Sequence, residues 1–281
     1  MDNRPIGVFD SGIGGLSVVK EIMHELPNES VIYFGDTARV PYGSKSPEAI
    51  RRFSIEILNF LLKKDVKAIV IACNTASAVA LELLQTVSPI PVYGVIDAGA
   101  ISAVKKTKNN KIGIIGTKTT IRTNAHAKVI QLLNPEVKSY SIPCPLFVPL
   151  IEEGWNDTAI TSQIIKEYLG PLRNNIDTII LGCTHYPLMQ GRIKRFLGSK
   201  INVVCPASEL AKGIKKDLTE KNEASSTQAE YRFFVSDIPE DFASASSSFI
   251  KLKPEYIEKV VLDEITTEEL NIKVSPIQQL I

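Results

Sequence analysis

Two cysteines, Cys73 and Cys183, carry the strongest chemical signal in this chain. Each ends a short Ile/Val-rich run and opens a polar turn, in Ala72-Cys73-Asn74-Thr75 and Gly182-Cys183-Thr184-His185. A thiol just past a strand and beside the next helix N-terminus lies in a field that stabilises its thiolate. One such thiolate suits covalent catalysis, with His185 as its base. A matched pair suits a different task. Inverting a tetrahedral carbon needs a base on one face and an acid on the opposite face, and the reverse reaction exchanges the two roles. An ordinary thiol pKa of about 8.5 keeps both forms accessible near neutrality. The remaining cysteines look structural: Cys144 stands between Pro143 and Pro145, and Cys205 precedes Pro206. No C-x-x-C pair occurs, so no zinc or thioredoxin-like site is expected.

Other polar turns follow strand-like runs. Asp10-Ser11-Gly12-Ile13-Gly14-Gly15 invites a dinucleotide reading, but the fingerprint requires glycine at position 17, where Ser17 stands. Asp10 would also repel a pyrophosphate. A tight turn presenting the Asp10 carboxylate and main-chain N–H groups to a small ligand fits better, with an N-cap role for Asp10 as the plain competitor. Between Gly35 and Gly43 lie Asp36, which either orients Tyr42 or its loop or does neither, and Tyr42 itself. No Walker A loop, no G-x-S-x-G elbow and no lysine marked for pyridoxal phosphate is evident.

These turns need rigid supports, and the sequence supplies them. Apolar runs at 6–9, 31–34, 68–72, 91–96, 111–115, 178–181 and 203–205 read as strands buried on both faces. Stretches at 15–25, 47–64, 76–86, 123–133, 158–172 and 187–197 read as amphipathic helices. The alternation predicts α/β architecture with parallel sheets. A repeat runs through it: 6–12 resembles 112–118, and 68–75 resembles 177–184, at nearly equal offsets. Two similar α/β domains related by pseudo-twofold symmetry are expected, with the site in the cleft between them. Residues 215–229 read as an exposed connector, 231–235 as a strand and 239–249 as a helix, while the tail from Ile257, which includes Pro276, has no clear pattern. Trp155 is expected in the core.

The 281 residues carry 32 Lys+Arg against 31 Asp+Glu, so charge points to neither nucleic acid nor a membrane surface. No apolar run approaches the ~18 residues of a spanning helix, and the first residues lack the pattern of a secretory signal. A cytoplasmic protein with reduced thiols is expected.

Several blocks together resemble the glutamate racemase family: Asp10–Gly15, Pro41-Tyr42-Gly43, Ala72-Cys73-Asn74-Thr75-Ala76, and Gly182-Cys183-Thr184-His185-Tyr186-Pro187-Leu188. They occur in the family's order, and the cysteine blocks are shared with the wider aspartate/glutamate racemase superfamily. The resemblance implies cofactor-independent interconversion of L- and D-glutamate, supplying D-glutamate for peptidoglycan synthesis. It implies a first domain of residues 1–97 plus 209–281 and a second of 98–208. Cys73 and Cys183 match the two proton-transferring thiols. Asp10 matches the helper of Cys73, and His185 the helper of Cys183, with an acid nearby that is better matched by Glu152 than by Glu153. Ser11, Tyr42, Gly43, Asn74, Thr75, Thr184 and His185, with Asp10, match the substrate-binding positions. No metal is implied. A small-molecule substrate is the expected partner, and a homodimer is admissible. Asp97-Ala98-Gly99, Thr123 and His126 depart from the family's pattern near the presumed crossover. Aspartate racemase and a non-catalytic amino-acid-binding regulator are the competing readings.

Overall fold

The computed structural model describes residues 1–264. Ten strands alternate with helices: β1 (Ile6–Asp10), β2 (Val31–Gly35), β3 (Ala68–Ile71), β4 (Val92–Gly94), β5 (Lys111–Gly116), β6 (Lys138–Pro143), β7 (Thr178–Gly182), β8 (Asn202–Val204), β9 (Tyr231–Val235) and β10 (Ile257–Lys259). They form two sheets, one ordered β10-β9-β2-β1-β3-β4 and the other β6-β5-β7-β8. Every strand pair is parallel. The chain thus folds as two parallel-sheet α/β domains.

The sequence repeat is visible in the topology. The order β2-β1-β3-β4 in one sheet is reproduced by β6-β5-β7-β8 in the other. Even the register repeats: Ile6 pairs with Ala68, and its counterpart Ile112 pairs with Thr178. Because strand side chains alternate, each central strand feeds two cores. Ile6, Val8 and Val70 face one layer of the first domain, and Phe9, Ile69 and Ile71 face the other. In the second domain Ile112, Ile114 and Ile180 separate in the same way from Ile115, Ile179 and Leu181. Helices cover all four faces, which explains why these strands read as continuous apolar runs.

Several helices carry local start signals. Ser46 caps Pro47–Leu62, its hydroxyl accepting from the Ala49 N–H at 3.2 Å, with proline at the first helical position. Thr158 caps Ala159–Leu169 in the same manner. The helix Asn74–Val87 is capped by the Cys73 thiol itself, which accepts from the Ala76 N–H at 3.5 Å.

The structure corrects several sequence expectations. The run 91–96 is a three-residue strand followed at once by the helix Val95–Lys106; a short apolar run cannot by itself separate the two. The strand β6, Lys-Ser-Tyr-Ser-Ile-Pro, had no apolar signature because it is a partly exposed edge, where its proline is also tolerated. The connector reading of 215–229 fails over 215–220. Residues up to Glu220 belong to the helix Pro206–Glu220, which buries Leu210, Ala211, Ile214 and Leu218 and turns its charges outward. Trp155 is not in the core but about half exposed. Part of the tail does have structure, since β10 adds to the sheet beside β9; Pro276 lies outside the described residues.

Candidate active site

The turns after β1, β3, β5 and β7 converge on one cavity of about 290 Å³ at the carboxyl ends of both sheets, where ligands of open α/β folds bind. Cys73 and Cys183 both line it, one from each domain. Ser11, Tyr42, Gly43, Asn74, Thr75, Thr184, His185 and Glu152 line it as well.

On the first side, the Cys73 Sγ lies 3.7 Å from the Ser11 Oγ. Asp10 is fully buried behind it. Its Oδ2 accepts the Gly12 N–H at 3.0 Å, and its Oδ1 has no hydrogen-bond partner. It does not cap the following helix, which begins after Gly15 without a side-chain cap. Burial raises the Asp10 carboxyl pKa, while His185 and nearby N–H groups pull it back down. Burial, then the Asp10 charge, push the Cys73 thiol up to about 12 despite the N–H groups of its helix. The helix terminus expected to favour a thiolate is therefore present but outweighed. Asn74 is buried with its Oδ1 unpartnered, an acceptor free to take a hydrogen bond from a ligand.

The second side is built differently. No helix starts directly at Cys183; a single 3₁₀ turn, Tyr186–Met189, precedes the helix Gln190–Leu197. The Cys183 Sγ instead faces His185 Nδ1 at 3.9 Å, and His185 Nε2 meets Glu152 Oε1 at 3.0 Å. Burial alone would lower the His185 pKa, but Cys183 and Glu152 more than offset it and raise it to about 10. These two partners thus favour the protonated imidazole, against burial. The Phe249 ring stands nearly perpendicular to it, 6.2 Å away. Glu152, at the end of the helix Phe147–Glu152, is the acid against His185; Glu153 is the next residue and caps that helix.

The glycines of the first turn are explained by close packing rather than by phosphate. A Cβ on Gly14 would sit 2.3 Å from Thr184 Oγ1 and 2.6 Å from His185 Nδ1. A Cβ on Gly15 would sit 2.4 Å from that of Asp10. The turn is wedged between the two thiol-bearing halves.

Some lining residues were missed by sequence reasoning. Thr117 and Lys118 follow β5 into the cavity, and Cys144, read as structural, is buried at its wall. Thr117 was findable, because the repeat that pairs Ile6 with Ile112 also pairs Ser11 with Thr117. Its hydroxyl lies 2.9 Å from that of Thr75 and 3.0 Å from that of Thr120, and Thr75 and Thr120 are 3.1 Å apart. These three threonines join the domains across the cleft. Of the positions that depart from the family pattern, Thr123 and His126 do not line this cavity. Thr123 ends the helix Lys118–Arg122, and His126 is buried behind Gly182.

The model of the Asp/Glu/hydantoin racemases matches residues 6–230. The chain belongs to the Asp/Glu/hydantoin racemase family. It is 48% identical over 250 residues to the glutamate racemase of Geobacter metallireducens, covering 88% of this chain and 93% of that one. The crystal structure of glutamate racemase from Francisella tularensis in complex with D-glutamate superposes with a TM-score of 0.87 at 43% identity, covering 94% of this chain and 99% of the other. That of the RacE1 isoform from Bacillus anthracis gives 0.89 at 39% identity, covering 93% and 98%. Membership in this racemase family makes the chain an enzyme. Among the described residues no helix is long and apolar enough to cross a membrane.

Proposed function

We propose that this enzyme interconverts L- and D-glutamate by moving the α-proton between two thiols, Cys73 and Cys183, on opposite faces of the α-carbon. The observation that carries this reading is that the two cysteines line one cavity from two sheets that share a four-strand order. One thiolate takes the α-proton, and the opposite thiol gives its own proton to the other face. The site is left with thiol and thiolate exchanged, ready for the reverse reaction. No bond to a cofactor enters this scheme.

Each half has its own assistant. Asp10 backs Cys73 and His185–Glu152 backs Cys183. A Cys73 thiol pushed up to about 12 is held mostly protonated, so little thiolate is available to take a proton. The ammonium of a bound amino acid beside Asp10 offsets the carboxylate's field and eases ionisation of the thiol. Asn74, Thr75, Thr184 and Ser11 supply hydroxyl and amide groups, and the Tyr42–Gly43 segment supplies main chain, for the ammonium and the two carboxylates. Glutamate is preferred to aspartate as substrate because relatives covered nearly end to end at 43–48% identity bear the name glutamate racemase. On this reading the enzyme supplies D-glutamate for peptidoglycan in the cytoplasm. We assign residues 1–97 and 209–281 to the first domain and 98–208 to the second, in keeping with the strands each sheet contains.

Circular dichroism of L-glutamate solutions tests the activity: ellipticity should decay to zero without added cofactor, with deuterium from D₂O entering the α-position. Cys73→Ser and Cys183→Ser should each abolish racemisation, and full activity in either would sink the two-thiol scheme. Faster racemisation of aspartate would overturn the substrate assignment. Calorimetric binding of glutamate without turnover would favour a regulator.

A further inference from the structure

Asp36 lies outside the thiol chemistry, yet it is fully buried and three side chains converge on it. The Tyr42 hydroxyl donates to its Oδ2. Arg39 Nε donates to Oδ2 at 2.7 Å and to Oδ1 at 3.0 Å. Ser236, just past β9, donates to Oδ1 at 2.9 Å. Arg39 is itself fixed: its guanidinium lies 4.1 Å from the Phe53 ring centroid and pairs with the buried Glu56.

Tyr42 is nearly fully buried, and its hydroxyl is committed to Asp36. Tyr42 and Gly43 nevertheless line the cavity, where the segment's main chain remains to meet a ligand. That main chain is also pressed against the second domain. The Gly43 carbonyl accepts from Thr119 Oγ1 at 2.9 Å, and a Cβ on Gly43 would lie 2.8 Å from that of Thr117. A small movement of Tyr42 therefore moves the wall of the cavity.

We propose that Asp36, held by Arg39 and Ser236, is a positioning residue that fixes the Tyr42–Gly43 segment for binding the substrate and takes no part in proton transfer. This rests on the proposed glutamate reaction and adds the means by which one wall of its site is set. The C-terminal part of the first sheet contributes directly, through Ser236.

The test is steady-state kinetics with L- and D-glutamate on Asp36→Asn, Tyr42→Phe, their double variant and Ser236→Ala, with thermal melts on each. Removing a hydrogen bond to a buried carboxylate predicts a rise in KM of about tenfold for Asp36→Asn, with kcat falling less than about threefold. Tyr42→Phe should behave alike, the double variant should lose less than the product of the two, and Ser236→Ala should shift KM in the same direction by less. A merely structural role would lower the melting temperature of Asp36→Asn and leave KM of the folded fraction unchanged, which overturns the proposal. So would a large fall in kcat at constant KM, or independent effects in the double variant. Should Asp36→Asn fail to fold, Tyr42→Phe and Ser236→Ala decide, and unchanged KM in both overturns it. An inactive wild-type chain would overturn the functional reading and this proposal with it.

Discussion

At the site, Gly14, a residue with no side chain, packs directly against Thr184 and His185. Gly14 has an ordinary backbone conformation, so any obstacle to replacing it is steric. An alanine Cβ there would lie 2.3 Å from Thr184 Oγ1, 2.6 Å from His185 Nδ1 and 2.7 Å from His185 Cε1, where ordinary contact begins at 3.4 Å. Something must yield by roughly 1 Å (3.4 less 2.3). The Asp10 side of the turn cannot, because Gly15 is packed on Asp10. The imidazole can move only by leaving Cys183 Sγ at 3.9 Å or Glu152 at 3.0 Å. A misplacement of about 1 Å in a reacting group costs on the order of 100-fold in rate, equivalent to about 2.7 kcal/mol of activation free energy. Overpacking should cost about 1–3 kcal/mol of stability. Gly14→Ala is therefore expected to remain folded and to lose about 100-fold in kcat under the circular dichroism assay. A variant with kcat within threefold of wild type would refute the claim that this contact sets His185.

Three further outcomes are expected. His185 has its pKa raised from 6.5 to about 10, against the opposing effect of burial, by Cys183 and Glu152. Its pairing thus stabilises the fold fully below pH 6.5 and is lost as pH rises through about 10; Glu152→Gln should flatten that decline in urea titrations, and an unchanged slope would count against the pairing. Lys67 and Glu29 form a buried pair at 2.7 Å, and Lys67 also donates to the carbonyls of Asp2 and Glu223 at 2.6 and 2.8 Å. Lys67→Met should destabilise by about 3–5 kcal/mol while leaving KM for glutamate unchanged in the folded enzyme, because the pair lies at the opposite ends of the strands from the site. Gly213 sits inside a helix with open space where its Cβ would go, so Gly213→Ala should stabilise by about 1 kcal/mol, visible as a higher melting temperature at unchanged kcat.

Sequence reasoning was strongest where one physical signal dominated. The central strands are buried on both faces, so β1, β3, β5 and β7 announced themselves as apolar runs. Asp10 at the end of β1, and Ser11, Cys73, Asn74, Thr75, Cys183, Thr184 and His185 in the turns after these strands, were legible for the same reason. Signals failed where tertiary contact overrode pattern. The strand β6 is a polar edge that exists because β5 pairs with it. The helix Val95–Lys106 begins in the same apolar run that ends β4. The charge environment was the hardest to read. A helix terminus beside Cys73 was legible, but how far burial and Asp10 would override it depends on atoms brought together from separate segments.

The repeat between the two domains is incomplete. The repeat supplies two strands, two thiols and a hydroxyl pair, Ser11 and Thr117, but its symmetry stops at charge. The counterpart of Asp10 in the second domain is Gly116, which closes β5 with no side chain. The acid of that half is instead Glu152, on a helix of its own and paired with His185. Cys73 consequently has the buried Asp10 carboxyl group behind it, which helps push its thiol pKa up, whereas Cys183 faces the His185 imidazole, whose own pKa is raised. On the proposed two-thiol scheme each thiol acts in both protonation states, so a substrate ammonium bound beside the Asp10 carboxyl group would help to level this difference.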